Sequence, residues 1–215
     1  MTIRVLVADD QEMVRMGFAL ILDSAPDIEV VAQCGDGVGA VAAVREHRPD
    51  VALLDIRMPR LDGLQVCRQI SGETRVVVVT TFNDDDYVDT ALAHGATGFL
   101  LKDSGPDLLL AAVRAAVAGD ALIGPELTTG LLRRTHARAG RRVPPELAAA
   151  IAALSPRELE VTRLVGEGAT NAEIGERLHL SLGTVKTHIA SVQRRLSARN
   201  RVEVAARAWR AGLMD

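Results

Sequence analysis

Long apolar runs are missing from this 215-residue chain. No stretch approaches the ~18 consecutive apolar residues of a membrane helix, so no span is expected. The opening Met1-Thr2-Ile3-Arg4 passes straight into an apolar strand and leaves no room for a secretory signal. The expectation is a cytoplasmic protein with no membrane partner. Cysteine is scarce as well: Cys34 and Cys67 stand alone, at a spacing that matches neither a metal nor a redox motif. Two reduced thiols in a reducing compartment is the reading that follows. Lysine is nearly absent, since of 25 basic residues only Lys102 and Lys186 are lysines. What remains is ordinary globular composition, 48% hydrophobic and 25% charged, which excludes disorder, collagen-like repeats and a disulfide-stapled miniprotein.

The net charge of -3 conceals an asymmetry. Residues 1–118 carry 10 Lys/Arg against 18 Asp/Glu, residues 119–150 carry 5 against 3, and residues 151–215 carry 10 against 7. An acidic front and a mildly basic back predict two domains with different partners.

In the front half, strand-like and helix-like segments alternate. Apolar, β-branched runs at 3–8, 29–33, 51–54, 76–80 and 98–101 read as strands. Helical spacing falls at 14–22, 38–45, 64–70, 84–93 and 107–118. Five βα units with near-continuous apolar strands such as Val76-Val77-Val78-Val79 predict a five-stranded parallel, doubly wound α/β sheet over residues 1–118. Every strand's carboxyl end then lies on one edge.

Residues 119–149 break the alternation and read as a linker holding a helix from about 125 to 138. Ala139-Gly140-Arg141-Arg142-Val143-Pro144-Pro145 follows it, an exposed tether or a basic arm. Residues 150–215 read as all helix. Ser155-Pro156-Arg157-Glu158 carries an N-cap, a proline at the first helical position and an acid in the first turn. Thr170 or Asn171 opens a second helix to Leu178. After the short turn His179-Leu180-Ser181 a third runs to about Leu196, and a last one occupies 202–210. Two helices joined by a short turn describe a helix-turn-helix.

Two constellations carry chemistry. Asp9 and Asp10 follow the first strand and Asp55 ends the third, so three carboxylates converge on one edge of the sheet. Such a cluster repels itself unless a cation sits within it, and few carboxylates with retained water suit Mg²⁺ better than Ca²⁺. Thr80 and Lys102, at the ends of the fourth and fifth strands, add a hydroxyl and an ammonium. Together these are what an incoming phosphoryl group requires. In the second constellation Val185, Ile189, Val192 and Leu196 form the apolar stripe of the third helix of the back half. Opposite lie Gly183, Thr187, Ala190, Ser191 and Arg194, flanked by Thr184 and Lys186. Lys186 and Thr187 are placed to reach base edges in a major groove and Arg194 a phosphate. His188 sits at the stripe's edge, as a packing imidazole or a phosphate contact.

The residues Asp9-Asp10, Asp55-Ile56-Arg57-Met58-Pro59, Thr80-Thr81 and Leu101-Lys102 resemble the response-regulator receiver domains over about residues 2–118. The resemblance implies a phosphoacceptor at Asp55 and Mg²⁺ held by Asp9, Asp10, Asp55 and the Arg57 backbone carbonyl. It further implies phosphoryl binding by Thr80 and Lys102 and an aromatic switch at Phe99. A small-molecule phosphatase with an aspartate nucleophile is the enzymatic alternative. It needs an acid two residues after that nucleophile, and Arg57 stands there. Leu154-Ser155-Pro156-Arg157-Glu158-Leu159-Glu160-Val161, Thr170-Asn171-Ala172-Glu173-Ile174 and Gly183-Thr184-Val185-Lys186-Thr187-His188 resemble the LuxR-type helix-turn-helix.

Together the halves resemble the NarL/FixJ family of transcriptional response regulators. That implies a sensor histidine kinase as phosphodonor, a homodimer when phosphorylated, and a two-fold operator in double-stranded DNA. Thr184, Lys186, Thr187, His188, Ser191 and Arg194 are the DNA-contacting candidates. Leu182 departs from the polar or acidic residue usual in the family, and Ala190 offers the groove little to read with. A constitutive DNA binder with a receiver used only for docking is the other alternative. Arg57 and Phe82, each two residues beyond a site residue, are expected to overhang the phosphoryl group and slow its hydrolysis. The expectation is a protein that is no turnover enzyme and loses its phosphate over minutes to hours.

Overall fold

A computed structural model describes residues 2–81, 85–123 and 143–214. The chain divides into two compact units, residues 1–127 and 128–215, each with its own apolar core. Among the described residues no helix is long and apolar enough to cross a membrane.

In the first unit the strands β1 (Ile3–Ala8), β2 (Ile28–Cys34), β3 (Val51–Leu54), β4 (Arg75–Thr80) and β5 (Gly98–Leu101) alternate with helices. These are α1 (Glu12–Asp23), α2 (Gly37–His47), α3 (Gly63–Ile70), α4 (Asp85–Ala93) and α5 (Pro106–Ala118). All strand pairs are parallel, in the order β2-β1-β3-β4-β5. The period of two along each strand decides what each face buries. Val5, Val7, Leu53, Val77, Val79 and Leu100 pack with Leu22 of α1 and Leu109, Ala112 and Val113 of α5. Their alternates Leu6, Ala52, Leu54, Val76, Val78 and Phe99 are equally enclosed on the other face. Both faces are covered, which is why these strands read as unbroken apolar runs.

Two pieces of the stretch expected to be linker are structured, and that expectation is corrected. Leu122–Ile123 forms a sixth strand, β6, pairing in parallel with Gly98 and Phe99. It gives backbone partners to what would otherwise be the exposed edge of β5. The helix α6 (Pro145–Ala152) begins inside the same stretch, and its Leu147 belongs to the second core. The helix expected at 125–138 and the arginines at 141 and 142 lie outside the described residues.

In the second unit α7 (Pro156–Gly166), α8 (Asn171–Leu178), α9 (Leu182–Arg195) and α10 (Arg201–Arg210) follow α6. Ser155 with Glu158 and Thr170 with Glu173 close reciprocal capping boxes at the starts of α7 and α8, while Ser181 and Asn200 cap α9 and α10. His179, in the left-handed region at φ 54°, ends α8 and turns the chain into α9 within three residues. Val161, Val165, Ile174, Val185, Ile189, Val192, Leu196 and Val204 form the core. The four-residue stripe expected of α9 is buried.

Candidate functional site

The sheet's strand order reverses between β1 and β3, because β1 leads outward to β2 and β3 leads the other way. A crevice at the carboxyl ends is the geometric result. Asp9 and Asp10 leave β1 there, and Asp55 leaves β3. One carboxylate oxygen from each lies within 4.8 Å of the others. Asp9 and Asp55 are buried, at 1% and 5% exposure, whereas Asp10 is exposed. Burial holds the Asp55 carboxyl above the ordinary carboxylate range, the Asp9 charge pushes the same way, and Lys102 opposes both.

Lys102 arrives from the end of β5 and bridges the two buried acids. Its Nζ lies 2.6 Å from Asp9 Oδ2 and 3.4 Å from Asp55 Oδ2. Asp9 Oδ1 accepts the Gln11 backbone N–H at 2.9 Å. Asp9 Oδ2, by contrast, has the ionic contact to Lys102 without a hydrogen-bond geometry, so it is a buried acceptor with spare capacity. An oxygen of that kind beside two further carboxylates fits a hard divalent ion. Thr80, fully buried, ends β4, and its carbonyl accepts the Lys102 backbone N–H at 2.8 Å. Phe99, also fully buried, lies three residues before Lys102 in β5. Arg57 is exposed in the loop after β3. Phe82 lies outside the described residues.

That loop is held by contacts no short motif revealed. A Cβ on Gly63 would stand 1.9 Å from the Asp55 carbonyl oxygen, so only glycine lets α3 start directly beneath the acidic edge. Arg60 adopts φ 67° and pairs with Asp36, the N-cap of α2, while the Gly37 N–H donates to the Pro59 carbonyl at 3.4 Å. Arg15 of α1 donates to the Asp9 carbonyl at 2.7 Å. The loops after β1, β2 and β3 are thereby tied around the carboxylates.

In the second unit Thr184, Lys186, Thr187, Ala190 and Arg194 share the exposed side of α9, with Gly183 at its start. The Thr187 hydroxyl donates back to the Gly183 carbonyl at 2.9 Å, and Thr184 Oγ1 shares a hydrogen bond with Ser181 Oγ at 2.8 Å. His188 is half-buried at the boundary. Ser191 departs from the expectation of a DNA contact. It is half-buried, and its hydroxyl donates to Glu158 Oε1 at 2.6 Å. The cause is Glu158, a buried carboxylate of α7 that sequence reasoning used only as a first-turn acid. It also accepts from the Ser155 N–H at 2.8 Å and from Arg195 Nε at 3.1 Å. These hydrogen bonds, that of Ser191 foremost, pull its pKa down to about 2. Glu158 therefore fixes α9 against the start of α7.

Comparison with known proteins agrees with both halves. Residues 5–114 match the response regulator receiver domain family and residues 152–208 match the luxR family of bacterial regulatory proteins. The transcriptional regulatory protein LiaR of Bacillus subtilis is 39% identical over 99% of this chain and 100% of its own length. The oxygen regulatory protein NreC of Staphylococcus epidermidis is 35% identical over 99% of each chain. Among solved structures, the response regulator ChrA of a heme-sensing two-component system covers 99% of both chains at 32% identity and TM-score 0.53. The receiver domain of the putative response regulator NarL from Mycobacterium tuberculosis covers 55% of this chain at 38% identity and TM-score 0.54. The chain belongs to the NarL/FixJ family of two-component transcriptional response regulators.

Proposed function

We propose that this protein is switched by phosphorylation of Asp55 and, once phosphorylated, pairs on a two-fold DNA operator to regulate transcription. The observation that carries the proposal is the buried Asp9–Lys102–Asp55 bridge at the switch point of the sheet. A sensor histidine kinase is the phosphodonor, and the setting is the cytoplasm. An Asp55 oxygen attacks phosphorus, the bond to the donor imidazole breaks, and that nitrogen keeps the electron pair. Mg²⁺, held by Asp9, Asp10, Asp55 and the Arg57 carbonyl, would neutralise the phosphoryl oxygens when bound. Lys102 is already within 3.4 Å of the nucleophile and is placed to transfer its charge from Asp55 to the incoming oxygens. Thr80 supplies a hydroxyl at the neighbouring strand end, and Phe99 answers its movement from within the sheet.

The α9 face bearing Thr184, Lys186, Thr187 and Arg194 enters the major groove, with His188 at its margin, and α10 is the pairing surface. The protein is not a turnover enzyme: Arg57 occupies the place of a leaving-group acid, and hydrolysis of the Asp55 phosphate takes minutes to hours. Incubation with a small phosphodonor and Mg²⁺ tests the reading. Phosphate on Asp55, dimerisation and DNA retention should rise together. Equal DNA retention with and without the donor would favour a constitutive binder.

A further inference from the structure

The polar groups on the groove-facing side of α9 are fewer than its sequence promises. Thr184 and Thr187 are both exposed, but their hydroxyls are already engaged within the start of the helix, and that of Thr187 has no proton left for a base. The Thr187 hydroxyl is turned back to Gly183 O, and Thr184 and Ser181 share theirs. Ser191 donates to Glu158. With the Thr187 hydroxyl committed to Gly183 O, the γ-methyl is what that side chain has left to offer a partner. Gly183 contributes no side chain, and a Cβ placed there would meet only Ser181 Oγ, at 3.8 Å. Ala190 adds one more methyl. At the first position of the helix Leu182 is 56% exposed, and it is the only large apolar side chain of the second unit so exposed among the described residues. Charged donors on this side are Lys186 and Arg194, which make no ion pair among the described residues.

The major groove offers such a surface one matching feature. Thymine presents a C5-methyl group there, and alanine and threonine methyls are suitable partners for it. We infer that this protein reads its operator chiefly through thymine methyl groups, with Leu182, Thr184, Thr187 and Ala190 as the specificity-determining contacts. The inference rests on the reading that α9 enters the major groove. Recognition helices place their first residues on base edges, which is where Leu182 and Gly183 stand. Lys186 adds a donor to this surface, and Arg194 anchors the phosphates.

The experiment uses the full chain, treated with a small phosphodonor and Mg²⁺, to select binding sites from random duplex DNA. Each thymine of the selected site is then replaced singly by deoxyuridine, which removes only the methyl. Affinity should fall about four-fold at one or more positions in each half-site, as expected for one buried methyl. Thr187→Ser keeps the hydroxyl and its hydrogen bond but lacks the methyl, and should erase the thymine–uracil difference at one position. Thr187→Val, with the methyl and no hydroxyl, should retain it. Leu182→Ala should erase it at another position. A site with clear preference whose affinity ignores uracil everywhere would overturn this inference and leave the DNA-binding reading intact. So would a Thr187→Ser variant that still distinguishes the two bases as the wild type does. If no sequence preference is selected at all, both readings fall together.

Discussion

Replacing Glu158 should loosen the second unit far more than the loss of one carboxylate at a helix start would suggest. Glu158→Ala removes the acceptor of the Ser155 N–H and strands the Ser191 hydroxyl, which is half-buried. The loss of the capping partner costs about 1 kcal/mol. A hydrogen bond to a charged acceptor adds about 1.5–3 kcal/mol. The contact with Arg195 adds little, because that guanidinium is half exposed. The expected total is about 3 kcal/mol, which for a domain of 60–100 residues lowers Tm by roughly 15 °C. Glu158→Gln keeps a single acceptor oxygen, enough for the Ser155 N–H or for Ser191 but not for both, and should cost about 1–2 kcal/mol.

Trp209 provides the assay. It is the only tryptophan of the chain, lies in α10, and donates its indole N–H to Gly166 O at 3.0 Å. Its fluorescence therefore follows the second unit without interference from the first. Acid titration gives a second readout. With a folded pKa of about 2 against an ordinary 4.5, the Glu158 carboxylate contributes its stabilisation in full above pH 4.5. That contribution is lost as the pH falls toward 2. The stability gap between wild type and Glu158→Gln should accordingly narrow between pH 5 and pH 3. A Glu158→Ala protein with an unchanged melting midpoint, or a gap to Glu158→Gln that is constant across that range, would refute the reasoning.

Asp55→Asn should abolish phosphate incorporation while leaving the fold intact or slightly firmer, since a buried charge beside Asp9 is removed; thermal melting and labelled phosphate decide it. Arg194→Ala should weaken binding about equally on all DNA sequences and lower the salt slope by about one ion, whereas Lys186→Ala should lose ~1–3 kcal/mol of preference for the true operator. Titrations on operator and scrambled duplexes at several salt concentrations separate the two. Arg57→Asn combined with Phe82→Glu should shorten the life of the Asp55 phosphate, read as decay of label after donor removal; an unchanged decay would remove both side chains from that role.

Much of the fold was legible because its strands are buried on both faces, so that Val76 to Val79 announce themselves without any alternation. The acidic edge was legible for a related reason: parallel strands put their ends together, and Asp9, Asp55, Thr80 and Lys102 each terminate one. Short or distant features escaped. Two residues, Leu122 and Ile123, are too few to show a period, and what makes them a strand is the open edge of β5. Asp36 and Arg60 are 24 positions apart, and no local pattern links them. Ser191 reads as groove-facing on a helical wheel because it lies near the boundary of the apolar stripe. Only the tertiary position of Glu158, 33 residues earlier, decides which way its hydroxyl turns.

The division of α9 into an inner and an outer side bears on how relatives of this protein diverge. Val185, Ile189, Val192 and Leu196 with the Glu158 clasp set the helix's rotation and depth, and none of them is exposed. Leu182, Gly183, Thr187 and Ala190 are exposed and are not members of their own domain's core. Mutation can rewrite the outer set at little thermodynamic penalty, while the inner set keeps every rewritten helix at the same angle. After gene duplication, a copy is free to drift toward a new operator without first passing through an unfolded ancestor.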